Sequence, residues 1–413
     1  MNIAMISYHT CPLAVLGGKN TGGMNVYVRE LTRFLGRVGV HVDVFTRSQD
    51  EHIPQVSHDL GYFNRVVHIP AGPERFLPKS DLPGYIDEFT RGILEFSTKK
   101  GIQYDLVHGH YWLSGVAGEV LKKTWDVPLL QMFHTLGMMK QRIGRTEEER
   151  EGEDRVKGET YVMQVADRII AATEAERSQL EMLYGLNHQK VSIVPPGVNT
   201  HHFYPIPPDE AKEAIGISPG DRMALFVGRI EPLKGVDTLI QAMSILKKRC
   251  KSFACPDYLV VIGGDPEGDE EKLSDEMQRL QELCGELGLD EIVLFLGKRG
   301  QNTLPYYYSA AEVVVMPSFY ESFGMVALEA MACGTPVVAS RVGGLAFLVK
   351  DGETGYIVPA QDPEALAQKL RSLFVDHDLR AQFGKAAAEY AKQFSWERIT
   401  QEILNIYQEL GEN

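Results

Sequence analysis

Short apolar and β-branched runs alternate along the chain with longer stretches whose apolar residues recur at helical spacing. The opening run NIAMIS predicts a strand, and MNVYVRELTRFLG predicts a helix with Met24, Val28, Leu31 and Leu35 on one face. VDVFTR, VVHIP, YDLVHGH, PLLQMFHT, DRIIAAT and VSIVPPG continue the series of strands. This alternation is typical of a parallel sheet with helices on both faces.

The alternation breaks at Pro195-Pro196-Gly197 and the polar stretch NTHHFYPIPPDE, and it starts again at MALFVGR. We therefore predict an α/β protein of two doubly wound, Rossmann-like domains that face a central cleft. The first of these domains would cover residues 1–197 and the second residues 198–393. A C-terminal helix over about residues 394–413 is predicted to pack back on the first domain, because the tail is longer than the second sheet needs.

Composition limits the kinds of partner. The formal charge of −14 argues against nucleic acid. No run of about 18 apolar residues occurs, and the first residues lack a signal-peptide pattern, so we expect a cytoplasmic protein without a membrane span. Five scattered cysteines without a C-x-x-C pair predict a reducing compartment and no zinc site, and the Cys250/Cys255 pair is read as incidental.

Two glycine-containing turns each lie between a predicted strand and a predicted helix. In GGKNTGGMN, Gly22 and Gly23 leave backbone N–H groups accessible to a phosphate. In VGRIEPLKG, Arg229 and Lys234 follow a strand, where two cations can clamp a diphosphate. Neither G-x-G-x-x-G nor G-x-x-x-x-G-K-[ST] occurs, which disfavours dinucleotide and P-loop nucleotide binding. For either turn alone, an unspecialised solvated loop is the alternative.

Two carboxylates flank the start of the predicted helix FGMVALEAMACG. Glu321 precedes it and Glu329 lies inside it, and eight residues of helix rise about 12 Å, the reach from a hexose across a diphosphate to a ribose. Carboxylates accept hydrogen bonds from sugar hydroxyls, and the N–H groups of Phe323, Gly324 and Met325 can hold phosphates. A Glu that complements the helix dipole would explain Glu321 but not Glu329, whose neighbours are apolar.

The E-x7-E helix, VGRIEPLKG and PSFYESFG together resemble the GT-B retaining glycosyltransferases of family four over nearly the whole chain. ISYHTCPL, TGGMNVYV, IPAGP, YDLVHGHYWLSG, HTLG and VPPGVN look most like the inositol-phosphate branch of that family. RFLPK, LPGY and HTLG are also similar to sucrose-phosphate synthases. Those synthases usually carry Gln where this chain has Met24 or Asn25. The loop GMMKQRIGRTEEEREGED and the Phe133-His134 pair depart from typical inositol-phosphate enzymes, so the acceptor stays open.

The resemblance implies that the first domain, residues 1–197, binds the acceptor and that the second, residues 198–393, binds the nucleotide sugar. It also implies roles for individual residues. Glu329 would bind the ribose of a UDP-sugar, and Glu321 would hold the transferred sugar. His134 falls near that sugar and the acceptor, although a lone His is more often structural, and Arg299 falls where the family binds uracil. The implied donor-binding residues are Gly22, Gly23, Arg229, Lys234, Arg299, Glu321, Phe323, Gly324, Met325 and Glu329. Those implied to bind the acceptor phosphate are Asn25, Lys79, Tyr111, Thr135 and Arg155.

The expected reaction is the transfer of a hexosyl unit from UDP-glucose or UDP-N-acetylglucosamine to a phosphorylated polyol or sugar, with retention. No Asp or Glu stands out as a nucleophile, which favours front-face transfer over double displacement. The implied catalytic residues are Arg229, Lys234, His134 and Glu321. No metal ligands or cofactors are expected to be required, Mg²⁺ is compatible with the site, and a homodimer is left open. The alternatives are a sucrose-phosphate synthase, a GT-B-like epimerase or phosphorylase, and a sugar-nucleotide sensor.

Overall fold

A computed structural model of the protein describes residues 1–14, 21–144, 150, 152–249, 256–264 and 274–412. Contacts between Cα atoms divide these residues into two compact units. Unit 1 contains residues 1–14, 21–196 and 396–412, and unit 2 contains the described residues between 197 and 395. The Cys250/Cys255 pair and the first part of the GGKNTGGMN turn lie outside the described residues.

Strands and helices alternate through most of both units. The strands are β1 Asn2–Ile6, β2 His41–Arg47, β3 Val56–Ser57, β4 Arg65–Ile69, β5 Leu106–His110, β6 Leu129–Met132, β7 Arg168–Ala171, β8 Val191–Ile193, β9 Met223–Val227, β10 Tyr258–Ile262, β11 Val293–Gly297, β12 Val313–Met316, β13 Val337–Ser340 and β14 Gly355–Val358. The helices are α1 Gly23–Arg37, α2 Ile86–Lys100, α3 Trp112–Trp125, α4 Gly137–Ile143, α5 Glu153–Val165, α6 Glu174–Tyr184, α7 Pro208–Ala214, α8 Val236–Arg249, α9 Asp275–Leu287, α10 Leu304–Ala310, α11 Met325–Ala332, α12 Leu345–Leu348, α13 Pro363–Val375, α14 His377–Ala391 and α15 Trp396–Gly411.

Unit 1 is built on one sheet with the strand order β3-β4-β2-β1-β5-β6-β7-β8. All neighbours pair in parallel except β3, which runs antiparallel to β4. The central strand β1 pairs with β2 and β5, so that Ile3 lies opposite both Val42 and Leu106. Consecutive apolar residues along these strands are buried, as is typical of a sheet that is covered on both faces.

Unit 2 repeats this plan with the order β11-β10-β9-β12-β13-β14, and all neighbouring strands in this order pair in parallel. Its core joins Phe226 of β9 and Val315 of β12 to Leu239 of α8 and Leu370 of α13, all of them buried. The strand–helix alternation therefore correctly predicted the class of both sheets.

Helix α15, at the end of the chain, belongs to unit 1. Trp396 is 1% exposed, and the centroid of its ring lies 5.3 Å from that of Tyr27 in α1, edge to face. Near the other end of α15, the Tyr407 hydroxyl lies 2.8 Å from Nδ1 of His108 in β5. Because its apolar residues Ile399 and Ile403 are also buried, the helix covers the core of unit 1 through one face.

The segment GMMKQRIGRTEEEREGED, interpreted from the sequence as a loop, contains helix α4 and the start of α5. The apolar residues in its first part were too few to show a helical period. None of the helices in the described part of the chain combines the length and the apolar content that crossing a bilayer requires.

Replacing Trp396 by Ala should destabilise unit 1 by about 3–5 kcal/mol, because it removes a fully buried aromatic ring. The loss is measured by native-state hydrogen exchange, in which the backbone amides of α1 should exchange faster in the variant than in the wild type. Gln408→Ala, on the exposed face of the same helix, is the matched control and should change exchange little. Equal protection of α1 in the Trp396→Ala variant and the wild type would show that α15 does not stabilise this unit.

Candidate active site

The two cations predicted to clamp a diphosphate each contact a carboxylate. Nη1 of Arg229 lies 2.6 Å from Oε1 of Glu231, and both side chains are about one-third exposed (34% and 33%). Nζ of Lys234 lies 2.5 Å from Oε2 of Glu321, a pair that is more buried (17% and 19% exposed). The structure thus brings Lys234 and Glu321, which are 87 positions apart, into one ion pair.

Close contact between two turns creates this pair. The turn after β9 ends at Gly235, whose φ of +68° is in the left-handed region, and a Cβ there would lie 2.2 Å from the carbonyl oxygen of Pro317. The N–H of Phe319 donates to the carbonyl of Leu233 over 2.8 Å. Only glycine meets both demands at position 235, so this residue sets the approach of Lys234 to the turn after β12.

Helix α11 begins directly after that turn, with Gly324 as its N-cap. The first N–H groups of a helix have no partner within the helix and lie at its positive end. The turn is supported by Gly344, where a Cβ would lie 2.3 Å from Cα of Phe323. The N–H groups predicted to hold a phosphate, those of Phe323, Gly324 and Met325, therefore lie at a braced helix terminus.

Glu329 lies inside α11 and is 6% exposed. Its Oε2 accepts a hydrogen bond from the Tyr308 hydroxyl over 2.8 Å, and Nε2 of Gln301 lies 3.5 Å from its Oε1. Burial, together with the neighbouring Glu329 carboxylate, holds the pKa of Tyr308 well above its ordinary value. Tyr308 therefore stays a hydrogen-bond donor that fixes one oxygen of Glu329.

Arg299 is exposed, in the turn after β11. Its Nη1 donates to the carbonyl of Lys298 over 3.0 Å, and its Nε lies 3.3 Å from the Tyr307 hydroxyl. The same turn carries Gln301, the residue beside Glu329. Arg299 and Glu329 are thus connected through one short segment of chain.

In unit 1, Asn25 of α1 braces the turn that precedes the helix. Its Oδ1 accepts from the N–H of Gly22 over 2.9 Å, and its Nδ2 donates to the Thr10 hydroxyl and to the carbonyl of Cys11, both over 2.8 Å. Asn25 is 1% exposed and Gly23 is exposed. The amide of Asn25 orients the backbone N–H groups of this turn.

Tyr111 is the centre of the predicted acceptor-binding residues. Cζ of Arg155 lies 4.8 Å and Nζ of Lys79 lies 5.4 Å from the centroid of its ring, two cation–π contacts. Nη2 of Arg155 donates to both the hydroxyl and the carbonyl of Thr135, over 2.8 and 2.7 Å. Four of the five predicted residues therefore form one contiguous group.

The guanidinium of Arg155 also has a buried anionic partner that the sequence did not reveal. Its Nε donates to Oε1 of Glu159 over 2.7 Å, and Glu159 is 0% exposed. Glu159 accepts further hydrogen bonds from the N–H of Gly137 and the hydroxyl of Tyr184. The spacing of Arg155 and Glu159, one helical turn apart, was the available signal.

His134, after β6, contacts a second histidine. Its Nε2 lies 3.0 Å from Nδ1 of His110, and the ring of Tyr27 packs edge-on against both imidazoles. Burial lowers the pKa of His134 to about 3, and burial with the neighbouring His134 lowers the pKa of His108 to about 3. The pKa of His110 is also well below its ordinary value, first because of burial and then because of the other two rings. All three are neutral at neutral pH.

Comparison with known proteins shows the family of the chain. A family model described as Glycosyltransferase Family 4 matches residues 21–202, and one described as glycosyl transferases group 1 matches residues 208–390. The chain is 41% identical to D-inositol 3-phosphate glycosyltransferase 2 of Catenulispora acidiphila, over 98% of this chain and 94% of that protein. The chain belongs to the GT-B glycosyltransferases of family four.

Two further relatives support the membership. The D-inositol 3-phosphate glycosyltransferase of Actinosynnema mirum is 40% identical over 98% of this chain and 96% of its own. The solved structure of sucrose-phosphate synthase from Thermosynechococcus elongatus matches with a TM-score of 0.88 and 35% identity, over 99% of this chain and 98% of that one. The predicted fold class and the prediction of a glycosyltransferase are both confirmed.

The buried histidines give this glycosyltransferase a pH-dependent stability. Below about pH 6.5 the unfolded chain protonates His108, whereas the folded chain does so only near pH 3. The unfolded state therefore binds more protons in this window. The free energy of unfolding is highest above about pH 6.5, and it decreases as the pH is lowered, by up to about 1.4 kcal/mol per pH unit for one ring. His108→Asn should flatten the dependence of the free energy of unfolding measured between pH 7.5 and 5 by this amount.

Glu176 offers a control of opposite sign. Burial raises the pKa of this carboxyl to about 7, so its contribution to stability falls as pH rises from about 4.5 to 7. Glu176→Gln should make the overall rise of stability with pH steeper. If neither variant changed the slope, these two groups would not be linked to folding.

Proposed function

We propose that the enzyme transfers a hexosyl unit from a UDP-sugar to a phosphorylated polyol of the inositol-phosphate type, with retention at the anomeric carbon. The observation that carries the acceptor class is the group of Lys79 and Arg155 around the ring of Tyr111. Two cations on one aromatic ring, with the Thr135 hydroxyl beside them, suit a phosphate monoester. The identity to D-inositol 3-phosphate glycosyltransferases supports the polyol.

The donor is assigned to unit 2. Glu329, with one oxygen fixed by Tyr308, would accept hydrogen bonds from the ribose hydroxyls. The braced N-terminus of α11 would hold the diphosphate, and Glu321 would contact the hexose. Lys234, whose Nζ lies 2.5 Å from Oε2 of Glu321, would stabilise the charge that develops on the diphosphate. The exposed Arg299 would lie beside the uracil.

The mechanism we propose uses no protein nucleophile. The UDP leaving group departs while Arg229, Lys234 and the helix N–H groups stabilise its charge, and a phosphate oxygen of UDP accepts the proton of the incoming hydroxyl on the same face of the sugar. Stabilisation of the leaving group by preorganised charges would then supply most of the rate. Because the cations are built into the protein, we propose that Mg²⁺ is not essential.

A sucrose-phosphate synthase activity is the second candidate. It is favoured by the 35% identity and TM-score of 0.88 to the synthase from Thermosynechococcus elongatus. The same cluster around Tyr111 would then bind the phosphate of fructose 6-phosphate. The two candidates share a donor site and differ in the acceptor alone.

A substrate panel tests the acceptor. UDP-glucose and UDP-N-acetylglucosamine are each crossed with inositol 1-phosphate, inositol 3-phosphate, fructose 6-phosphate, glucose 6-phosphate and free inositol, and UDP release is measured with and without EDTA. We expect an inositol phosphate to give the highest kcat/KM, the free polyol to give little, and EDTA to have little effect. NMR of the product's anomeric proton determines the stereochemistry.

Within that panel, Lys79→Ala should raise the KM of the phosphorylated acceptor by about tenfold or more and leave the KM of the donor unchanged, because it removes a phosphate contact. Equal turnover with free inositol would contradict a phosphate site. UDP release without any acceptor would instead indicate an epimerase or a hydrolase.

Lys234→Ala should lower kcat by about 10²–10³-fold with a smaller change in the KM of the donor, because the lost cation acts mainly on the leaving group. Lys248→Ala, at the exposed end of α8, is the matched control. Steady-state kinetics with varied donor measure the two parameters. A rise in KM at constant kcat would mean that Lys234 binds ground state and transition state equally.

A further inference from the structure

The contact between His110 and His134 has only two arrangements of protons when both rings are neutral. Two neutral imidazoles joined by one hydrogen bond need one N–H donor and one bare nitrogen acceptor. Over the 3.0 Å between them, either Nδ1–H of His110 donates to Nε2 of His134, or Nε2–H of His134 donates to Nδ1 of His110. The choice fixes which nitrogen of His134 carries its proton.

The far side of His110 distinguishes the two arrangements. Its Nε2 is buried and has no hydrogen-bond partner within the described residues. If His134 donated, the proton of His110 would be on this Nε2 and a buried N–H would have no acceptor. If His110 donates, only a lone pair is left unpaired there. Since buried donors without a partner are strongly disfavoured, the arrangement in which His110 donates is the more stable.

The ring of His134 is also held in place from other directions. The residue has a φ of +63°, a left-handed conformation that is strained for a non-glycine residue and that the surrounding contacts must maintain. The Tyr27 ring packs edge-on against it with centroids 5.3 Å apart. Nδ1 of His134, on the side of the ring away from Nε2, has no hydrogen-bond partner in the described part of the chain, and the residue, although mostly buried, keeps a small exposed surface.

We propose that His110 is a positioning residue that holds His134 as the Nδ1–H tautomer, so that His134 meets the substrate as a hydrogen-bond donor and not as a base. This inference rests on the function proposed above, in which His134 contacts the transferred sugar. It adds the direction of that contact: His134 donates to an oxygen of the sugar or of the leaving diphosphate. No proton is transferred through His134, in agreement with a mechanism in which UDP itself accepts the acceptor's proton.

His110 is in turn supported from behind. The centroid of the His108 ring lies 4.3 Å from that of His110, and Nδ1 of His108 lies 2.8 Å from the Tyr407 hydroxyl of α15. His108 and His110 are both 0% exposed. A change at His108 therefore disturbs the packing of His110 without removing the donor atom that faces His134, which makes it the matched structural control.

The tautomer is measured directly on the full-length protein. Long-range ¹H–¹⁵N correlation spectra of the ¹⁵N-labelled enzyme distinguish Nδ1–H from Nε2–H imidazoles, and the His134 signals are assigned by their loss in His134→Gln. We expect the Nδ1–H pattern in the wild type. An Nε2–H pattern for His134 would overturn the proposal whether or not any variant folds, and it would do so independently of turnover.

Variants at position 110 test the cause. Asn can place an amide N–H where Nδ1–H of His110 lies, so His110→Asn should keep the Nδ1–H pattern of His134 and a kcat within about threefold of the wild type. Leu has no N–H, so His110→Leu should lose this pattern. Its kcat should fall by about tenfold or more, with a smaller change in the KM of the donor. His108→Asn should keep the pattern. An unchanged tautomer in His110→Leu would overturn the role of His110. If the tautomers behave as expected but His134→Gln leaves activity unchanged, the proposed contact of His134 with the sugar fails instead.

Discussion

Parallel strand pairing is the constraint on which every candidate residue of this enzyme depends. All parallel strands of a sheet end at the same edge, so the turns that follow them bring distant parts of the chain together. Tyr111 follows β5 and His134 follows β6, two neighbouring strands of unit 1. In unit 2, Arg229 follows β9 and Glu321 follows β12, which also pair with each other. The chemistry of each unit is therefore placed by the order of its strands.

Three of the candidate cations, Lys234, Arg229 and Arg155, are held in ion pairs. Lys234 contacts Glu321, Arg229 contacts Glu231, and Arg155 contacts the fully buried Glu159. In a chain of formal charge −14, such pairing fixes the cations without leaving a strong local field when no substrate is bound. Replacing only one partner of a buried pair is therefore destabilising, because the other partner is left as an uncompensated buried charge. An anionic ligand must compete with these carboxylates, which favours groups of high charge such as a diphosphate.

Local patterns in the sequence were enough to predict the class of the two sheets and to name candidate residues in the turns that follow their strands. The periods of strands and helices depend only on residues that are close in sequence, and the glycine-rich turns between them can be recognised directly from the sequence. What could not be predicted are contacts across the sheet edges. The Lys234–Glu321 pair spans 87 positions, and the bond between Tyr308 and Glu329 requires α10 to lie beside α11. The bracing role of Asn25 depended likewise on where Thr10 and Cys11 lie after folding.

The buried histidines show why a neutral ring suits this site. An imidazole that titrates near neutral pH would change the charge inside unit 1 within the physiological range of pH. Burial lowers the pKa of His108 and His134 to about 3, so these rings carry no charge at neutral pH. A neutral imidazole still has one N–H, and its direction is decided by the partner of the other nitrogen. For His134 that partner is His110, so a hydrogen bond inside unit 1 decides which ring nitrogen of His134 carries the proton.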